Sequence, residues 1–296
     1  MKEERAQVNG IEIAYETIGD PSLPALLLVM GLGTQMIHWD RELCELFVAS
    51  GFRVIRFDNR DSGTSTQIDA PVPNLVRGMV GLRADVPYLL DDMADDAFGL
   101  LDHLGIGEAH VVGASMGGMI AQTMAIRRPE RVLSLTSIMS TTGERRSGRP
   151  KLRVWTVLTR RAPREREAFV EHVVRVFRMI GSKGFPVDEN RLRELAAASH
   201  ARGHHPAGTG RQLSAIMASG DRTERLRHIR VPTTVIHGKD DPLVPFSGGV
   251  ATAGAIPGAK LIAIPGMGHD LPRAVWPQVV AAVVEMAGRA HAPAAV

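Results

Sequence analysis

The feature that most constrains the fold is a regular alternation of short apolar segments with longer segments of helical periodicity. ALLLVM at 25–30 is a continuous apolar run, which is typical of a strand covered on both faces, and FRVIRFD at 52–58 is interpreted as a second buried strand. Strands that alternate with helices predict a mostly parallel, twisted sheet with helices on both faces. The predicted strands are 11–18, 25–30, 52–58, 108–113, 131–138, 232–238 and 260–264, and the predicted core helices are 38–50, 91–104, 116–128, 246–255 and 273–288.

The alternation stops at Gly143 and resumes only after Asp221. Between them the pattern is helical, and three or four helices are expected. The expected breaks between these helices are at Pro163, at 181–186 and from Gly203 to Gly210. We therefore predict a core domain of residues 1–142 and 222–296 and an inserted segment of residues 143–221.

The positive charge of the chain is concentrated in its middle. From Glu144 to Arg230 there are 20 Lys+Arg and 9 Asp+Glu, whereas the remainder has 15 and 23, so that the formal net charge is only +3. Such a segment is typical of solvated, arginine-rich helix faces, of contact with an anionic membrane or of binding to an anionic substrate. The few aromatic residues of this segment do not form a pattern that suggests stacking on bases, so nucleic acid is not an expected partner.

The N-terminal residues MKEERAQVNG are charged and lack the apolar core of a signal peptide. No apolar run reaches the roughly 18 residues that would cross a membrane. Cys44 is the only cysteine, which excludes an intrachain disulfide. A cytoplasmic location is therefore expected. The protein is expected to be a monomer or a homodimer.

The motif G-x-S-x-G, at Gly113 to Gly117, places Ser115 between a predicted strand and a predicted helix. This context is that of a nucleophile elbow, in which glycines allow a sharp turn and leave the serine exposed. The alternative interpretation is a serine that caps an ordinary helix.

A serine nucleophile needs a base and an orienting carboxylate. His269 lies in a loop after the last strand and is the best candidate for the base. The preceding strand is followed by Asp240 and Asp241, which gives the chain order serine, aspartate, histidine. We interpret His237 as a core histidine that is bonded to the backbone.

An oxyanion hole requires two backbone N–H donors. The first is expected from Met116, which follows the proposed nucleophile, and the second from Leu32 in the loop MGLG at 30–33. Gly31 and Gly33 permit a close approach of the backbone, although an ordinary glycine turn is the alternative. Met36 stands where a dinucleotide-binding motif would have its third glycine, so that motif is absent.

Several methionines cluster in sequence around these positions: Met30, Met36, Met116, Met119 and Met267. Methionine is flexible and polarizable, which suits an adaptable apolar pocket, and ordinary core packing is the alternative. We expect two of these methionines, Met36 and Met267, and the nearby Gly31 to contact an apolar small-molecule substrate.

Together these residues resemble the α/β-hydrolase superfamily over nearly the whole chain. The resemblance includes H-G-x-x-D from His237 to Asp241, which implies that Asp241 is the acid rather than Asp240. It implies an α/β-hydrolase fold in which the inserted segment forms a helical cap. Asp61 departs from the pattern D-x-R-G-x-G-x-S, where a glycine is usual, and Met30 replaces a histidine in the oxyanion loop.

The chain most resembles bacterial carboxylesterases of the aclacinomycin methylesterase type and mycobacterial Lip-type esterases. The shared phrases include LLLVMG, VIRFDNRDSG, HVVGASMGG and IPGMGHDLP. They imply hydrolysis of carboxylic esters, among them methyl esters, thioesters or lipid esters, by a Ser-His-Asp triad without metal or organic cofactor. The alternatives are an enol-lactonase or C–C bond hydrolase, a cofactor-free perhydrolase or perhalogenating enzyme, and a non-catalytic ligand-binding protein. Ser115 excludes hydrolases with an aspartate nucleophile.

Overall fold

The computed structural model describes residues 3–73, 85–144, 146–148, 154 and 162–290. Its described strands form one sheet of eight with the order β1-β2-β4-β3-β5-β6-β7-β8. The strands are β1 (Glu4–Val8), β2 (Ile11–Ile18), β3 (Ala25–Val29), β4 (Arg53–Phe57), β5 (Ala109–Ala114), β6 (Val132–Ile138), β7 (Thr233–Gly238) and β8 (Lys260–Ile264). The pairings β1–β2 and β2–β4 are antiparallel and the others are parallel, so the predicted mostly parallel sheet is confirmed.

Helices cover both faces of this sheet. The α-helices are α1 (Arg41–Ala49), α2 (Leu90–His103), α3 (Met116–Arg127), α4 (Arg166–Ile180), α5 (Glu189–Arg202), α6 (Pro206–Ser219), α7 (Thr223–Leu226), α8 (Phe246–Ala255) and α9 (Trp276–Ala290). Short 3₁₀ turns are found at Met36–His38, Pro129–Arg131 and Arg273–Val275. In one apolar layer α2 and α3 pack on the sheet, and in the other layer α1 and α9 do so.

The strand β3 shows why the sheet needs two covering layers. All five of its residues are buried. Because side chains of a strand point alternately to opposite faces, Leu27 and Val29 enter the layer of α2 and α3, whereas Leu26 and Leu28 enter the layer of α1 and α9. The continuous apolar run in the sequence is therefore the consequence of burial on both sides.

The strand β1, ERAQV, was not predicted from the sequence. It lies at the edge of the sheet, and only Ala6 and Val8 are buried. Two apolar residues among charged ones give too weak an alternation for prediction, and the strand forms because β2 offers it an antiparallel partner.

The predicted break from Gly203 to Gly210 is wrong over most of its length, because α6 begins at Pro206 and includes both Gly208 and Gly210. A Cβ added at Gly208 would lie 2.3 Å from the Asp61 carbonyl oxygen, and one added at Gly210 would lie 2.7 Å from Val72 Cγ1. These glycines allow the helix to approach the core closely, so they do not end it.

Arginines of α5 and α6 form ion pairs with aspartates of the core. The pairs are Arg191–Asp40, Arg202–Asp58 at 2.8 Å and Arg211–Asp61 at 2.6 Å. The carboxylates of Asp58 and Asp61 are fully buried. Burial raises the pKa of Asp58, and the neighbouring Arg202 opposes that rise. Part of the positive charge of the inserted segment is thus neutralised within the molecule.

Among the described residues, no helix is both long enough and apolar enough to cross a membrane.

Candidate active site

Ser115 occupies the sharp turn between β5 and α3. Its φ of 56° and ψ of −119° lie in a region that residues with a side chain rarely adopt, at a cost of about 1–3 kcal/mol. The Ser115 N–H donates to the carbonyl of Ile138 at the end of β6, at 2.9 Å. The neighbouring strand therefore holds the turn in its strained conformation.

The glycines around Ser115 are required by close contacts between backbone segments. A Cβ added at Gly117 would lie 2.0 Å from the Val29 carbonyl oxygen. One added at Gly113 would lie 2.1 Å from the carbonyl oxygen of Gly117. The start of α3 can therefore pack against the ends of β3 and β5 only without side chains at these positions.

Ser115, His269 and Asp241 lie in one chain of hydrogen bonds. Ser115 Oγ is 2.9 Å from His269 Nε2, and His269 Nδ1 is 2.6 Å from Asp241 Oδ2. The other oxygen of Asp241 accepts the N–H groups of Leu243 and Val244, each at 2.8 Å. Because an ionised carboxylate only accepts hydrogen bonds, it places a proton on His269 Nδ1 and leaves the Nε2 lone pair facing the serine.

Two other polar residues near this chain make their hydrogen bonds elsewhere, although His237 Nε2 also lies 3.6 Å from Asp241 Oδ2. Asp240 accepts the N–H of Gly266 at 2.9 Å. His237 is fully buried, and its Nε2 lies 2.7 Å from the carbonyl oxygen of Val244. Burial lowers the pKa of His237, which favours the neutral imidazole. The structure therefore places His237 in the core, bonded to backbone.

The loop after β3 passes directly over the turn at Ser115. A Cβ added at Gly31 would lie 3.2 Å from Ser115 Cβ. Leu32 and Met116 both line the cavity onto which Ser115 opens. Met116 is the first residue of α3, and the N–H groups in a first helical turn have no partner within the helix. The structure thus places both residues that were predicted to supply oxyanion donors on the wall of the cavity that contains the serine.

The cavity at Ser115 and His269 has a volume of about 1,730 Å³. This exceeds the roughly 300–1,000 Å³ of ordinary ligand pockets. Both the core and the inserted segment contribute apolar walls, and those from the inserted segment include Phe177, Ile180, Leu192, Leu195, Leu213 and Ile216. The site can therefore enclose a bulky apolar ligand.

The methionines divide into two groups. Met30, Met116 and Met119 line the cavity. Met36 and Met267 are fully buried elsewhere, so the structure does not bring their side chains to the cavity wall. The backbone N–H of Met36 donates to Asp58, and Met267 packs in the layer of α1 and α9. For these two, core packing accounts for the observed position.

Sequence reasoning missed a contact that ties the inserted segment to the histidine loop. Ser182 Oγ accepts the N–H of Gly268 at 2.9 Å, and the Ser182 N–H donates to Asp270 Oδ1 at 2.8 Å. The His269 N–H donates to the carbonyl of Ile180 at 2.7 Å. Burial raises the pKa of Asp270. The partners are more than 80 residues apart, so no local pattern indicates them.

No group of three or more His, Cys, Asp or Glu side chains in the described ranges is arranged to hold a metal ion.

Comparison with known proteins identifies the family. A family model of the α/β-hydrolase fold matches residues 24–272. Rhodomycin D methylesterase of Streptomyces peucetius is 33% identical, with 90% of this chain and 92% of that protein covered. A bifunctional esterase/perhydrolase of Acinetobacter calcoaceticus is 27% identical, with 89% and 91% covered. The solved structure of a thermophilic esterase from Thermogutta terrifontis is 25% identical and superposes with a TM-score of 0.73, covering 99% of this chain and 100% of that one.

The match to the family model spans most of the chain, and the order of the sheet agrees with the expected α/β architecture. The chain belongs to the α/β-hydrolase fold family.

Proposed function

We propose that the protein is a serine hydrolase of carboxylic esters, with Ser115 as nucleophile, His269 as base and Asp241 as the orienting acid. The observation that carries this proposal is the continuous hydrogen-bond chain from Ser115 Oγ through His269 to Asp241. The methylesterase and esterase names of the curated relatives support the same reaction class.

The reaction proceeds through an acyl-enzyme. Ser115 Oγ attacks the ester carbonyl while its proton passes to His269 Nε2, and Asp241 stabilises the resulting imidazolium. His269 then donates that proton to the departing alcohol, which breaks the ester bond. Water loses a proton to the same nitrogen and attacks the acyl-enzyme. The imidazolium then returns this proton to Ser115 Oγ as the acyl bond breaks, which releases the carboxylic acid and restores the serine.

The N–H groups of Leu32 and Met116 stabilise the oxyanion in this proposal. The carbonyl of Gly31 accepts from Thr34 Oγ1 at 2.9 Å, and a planar trans peptide directs the Leu32 N–H to the opposite side. The next N–H, that of Gly33, is already donated to Gln212 at 2.8 Å. These contacts favour Leu32 over Gly33 as the donor.

We infer that the substrate is a bulky and largely apolar small-molecule ester, because the cavity is large and its walls are mainly apolar. A methyl ester of a large acid fits this chemistry and agrees with the methylesterase names of the relatives. The inserted segment acts as a cap, since its helices supply part of the cavity wall. A cytoplasmic location and contact of the basic segment with an anionic membrane stay predictions from the sequence.

The test compares wild type and Ser115→Ala on p-nitrophenyl butyrate and on methyl esters of polycyclic acids. We expect turnover by the wild type and a loss of about 10⁴-fold or more in kcat in the variant. A fluorophosphonate should add its mass to the wild type at Ser115 and leave Ser115→Ala unlabelled. Equal ester turnover by both proteins would overturn the proposal.

A further inference from the structure

We propose that Gln212 of α6 is a positioning residue that orients the oxyanion loop, and this inference rests on the esterase function proposed above. Gln212 lies in the inserted segment, 179 residues after the loop that it contacts. It does not have to touch the substrate, because it acts on the backbone that carries the Leu32 donor.

Both ends of the Gln212 amide are used. Its Oε1 accepts the N–H of Gly33 at 2.8 Å, and its Nε2 donates to the carbonyl of Arg60 at 2.8 Å. The side chain is fully buried. The reversed amide orientation would place two donors together and two acceptors together, so only one orientation satisfies both contacts. Gln212 therefore links the oxyanion loop to the segment after β4 with defined geometry.

The contact at Gly33 fixes the second of two successive peptide planes around Leu32. Thr34 holds the carbonyl of Gly31 and so fixes the first plane, which contains the Leu32 N–H. Gln212 holds the N–H of Gly33 and so fixes the second plane. With both planes held, the backbone dihedrals of Leu32 have little freedom, and its N–H stays directed at one point.

The loop itself cannot supply this rigidity. Gly33 has a φ of +65°, and glycine leaves the backbone the widest choice of conformations at such a position. A Cβ added at Gly33 would lie 2.8 Å from Thr209 Oγ1 of α6, so a stiffer residue does not fit. The hydrogen bond that the Gly33 N–H donates to Gln212 limits the backbone conformation instead, as a side chain at position 33 would otherwise do.

The helix that carries Gln212 is itself firmly attached to the core. The adjacent Arg211 donates to both carboxylate oxygens of Asp61, at 2.9 and 2.6 Å. Gly208, one turn earlier, packs against the Asp61 backbone. Gln212 is therefore held at a fixed distance from the loop. Fixed donors favour the transition state because they need no reorganisation when the oxyanion forms.

The test replaces Gln212 by Met, which keeps the side-chain length but removes both hydrogen bonds, and by Glu, which keeps an acceptor for Gly33. We expect kcat in Gln212→Met to fall by about 10- to 100-fold, with KM within about threefold of wild type. The affinity for an aryl trifluoromethyl ketone, whose adduct with serine carries an oxyanion, should fall by the same factor. Gln212→Glu should retain more kcat than Gln212→Met.

The matched control is Gln122→Met, at a second fully buried glutamine whose amide bonds to Ser137 and Arg222, away from the oxyanion loop. It should lose thermal stability and keep kcat within about threefold of wild type. A folded Gln212→Met with kcat like that of the control would overturn the inference. If Gln212→Met does not fold, Gln212→Leu and Gln212→Glu take its place. The inference would then be overturned if both variants kept the kcat and the ketone affinity of the wild type. Failure of the proposed esterase function would instead appear as a wild type that neither hydrolyses esters nor reacts with fluorophosphonate.

Discussion

Asp240 and Asp241 are adjacent in the chain, yet their carboxylates bind to different parts of the loop that follows β8. Asp241 accepts from the imidazole of His269 at 2.6 Å, whereas Asp240 accepts from the backbone N–H of Gly266 at 2.9 Å. One aspartate therefore orients a side chain, and its neighbour fixes the turn that precedes that side chain.

This difference predicts opposite results for two equivalent substitutions. Asp241→Asn should lower kcat by about 10³- to 10⁴-fold, because an amide can donate to His269 Nδ1 and so favour the wrong tautomer. Asp240→Asn should keep kcat within about threefold, since its carboxylate has no contact with the imidazole. Steady-state kinetics of the two variants on one ester is the measurement. A larger loss in Asp240→Asn would reverse the assignment of the acid.

Removal of the Ser182 hydroxyl should loosen the loop that carries His269. In Ser182→Ala the N–H of Gly268 loses its acceptor, and Asp270 loses the hydroxyl donor of residue 182 but keeps its backbone N–H donor. We expect kcat to fall by about tenfold, because small displacements of a catalytic group are costly. Ser219→Ala is the control, since its hydroxyl also accepts a backbone N–H, that of Leu90, but away from the site. Equal kcat in both variants would show that the loop does not need Ser182.

The buried pair of Asp61 and Arg211 should behave as a coupled unit in a double-mutant cycle. Arg211→Met alone leaves the Asp61 carboxylate buried, and we expect a loss of about 3–5 kcal/mol in the free energy of unfolding. In the double variant Asp61→Asn, Arg211→Met, the loss in the free energy of unfolding should be about 1–3 kcal/mol smaller than the sum of the losses in the two single variants. Urea unfolding of the four proteins measures this. Additive losses would mean that the pair makes no specific contribution.

We expect His38 to lower the free energy of unfolding of the protein in mild acid. Burial lowers its pKa to about 4 in the folded protein, against about 6.5 for a free imidazole. The unfolded chain therefore binds the proton first as the pH falls, so stability declines from about pH 6.5 and the decline continues to about pH 4.

The measurement is the free energy of unfolding of wild type and His38→Asn at pH 7.5 and at pH 5. The difference between the two proteins should shift by about 2 kcal/mol in favour of the variant at the lower pH. The same substitution at the exposed His228 is the matched control. A parallel pH dependence of wild type and His38→Asn would contradict the prediction.

The parts of the fold that follow from local pattern were predicted well. The strand 260–264 and the helix 246–255 agree with the bounds of β8 and α8. Both are short segments whose composition and flanking turns are visible in sequence. The predicted helix 273–288 begins instead as the 3₁₀ turn Arg273–Val275 before α9, since periodicity does not distinguish these two kinds of turn.

Prediction was weaker where a residue's role depends on a distant partner. Gly208 and Gly210 were interpreted as helix breakers because the sequence does not contain the contacts with Asp61 and Val72. Met36 and Met267 were assigned to the pocket by their nearness in the chain to other site residues, and nearness in the chain does not say to which face of an element a side chain turns.

Ser115, His269 and the pair Asp240–Asp241 each follow a predicted strand. Parallel strands end at the same edge of a sheet, so motif order and topology together predict that the serine, the histidine and one of the two aspartates meet. The choice of Asp241 over Asp240 depends on the resemblance to the α/β-hydrolase superfamily. Ser182, which bonds to the loop that carries His269, and Gln212, which bonds to the oxyanion loop, lie on the inserted segment and carry no recognisable motif.

The two successive residues Arg211 and Gln212 also limit which parts of this protein can be exchanged for those of another hydrolase. One anchors α6 to Asp61, and the other contacts the oxyanion loop. Exchanging the whole inserted segment for that of another hydrolase would therefore disturb catalysis as well as specificity. Directed evolution should acquire new substrates more readily by altering Phe177 or Leu192, which line the cavity from α4 and α5, than by recombining complete segments.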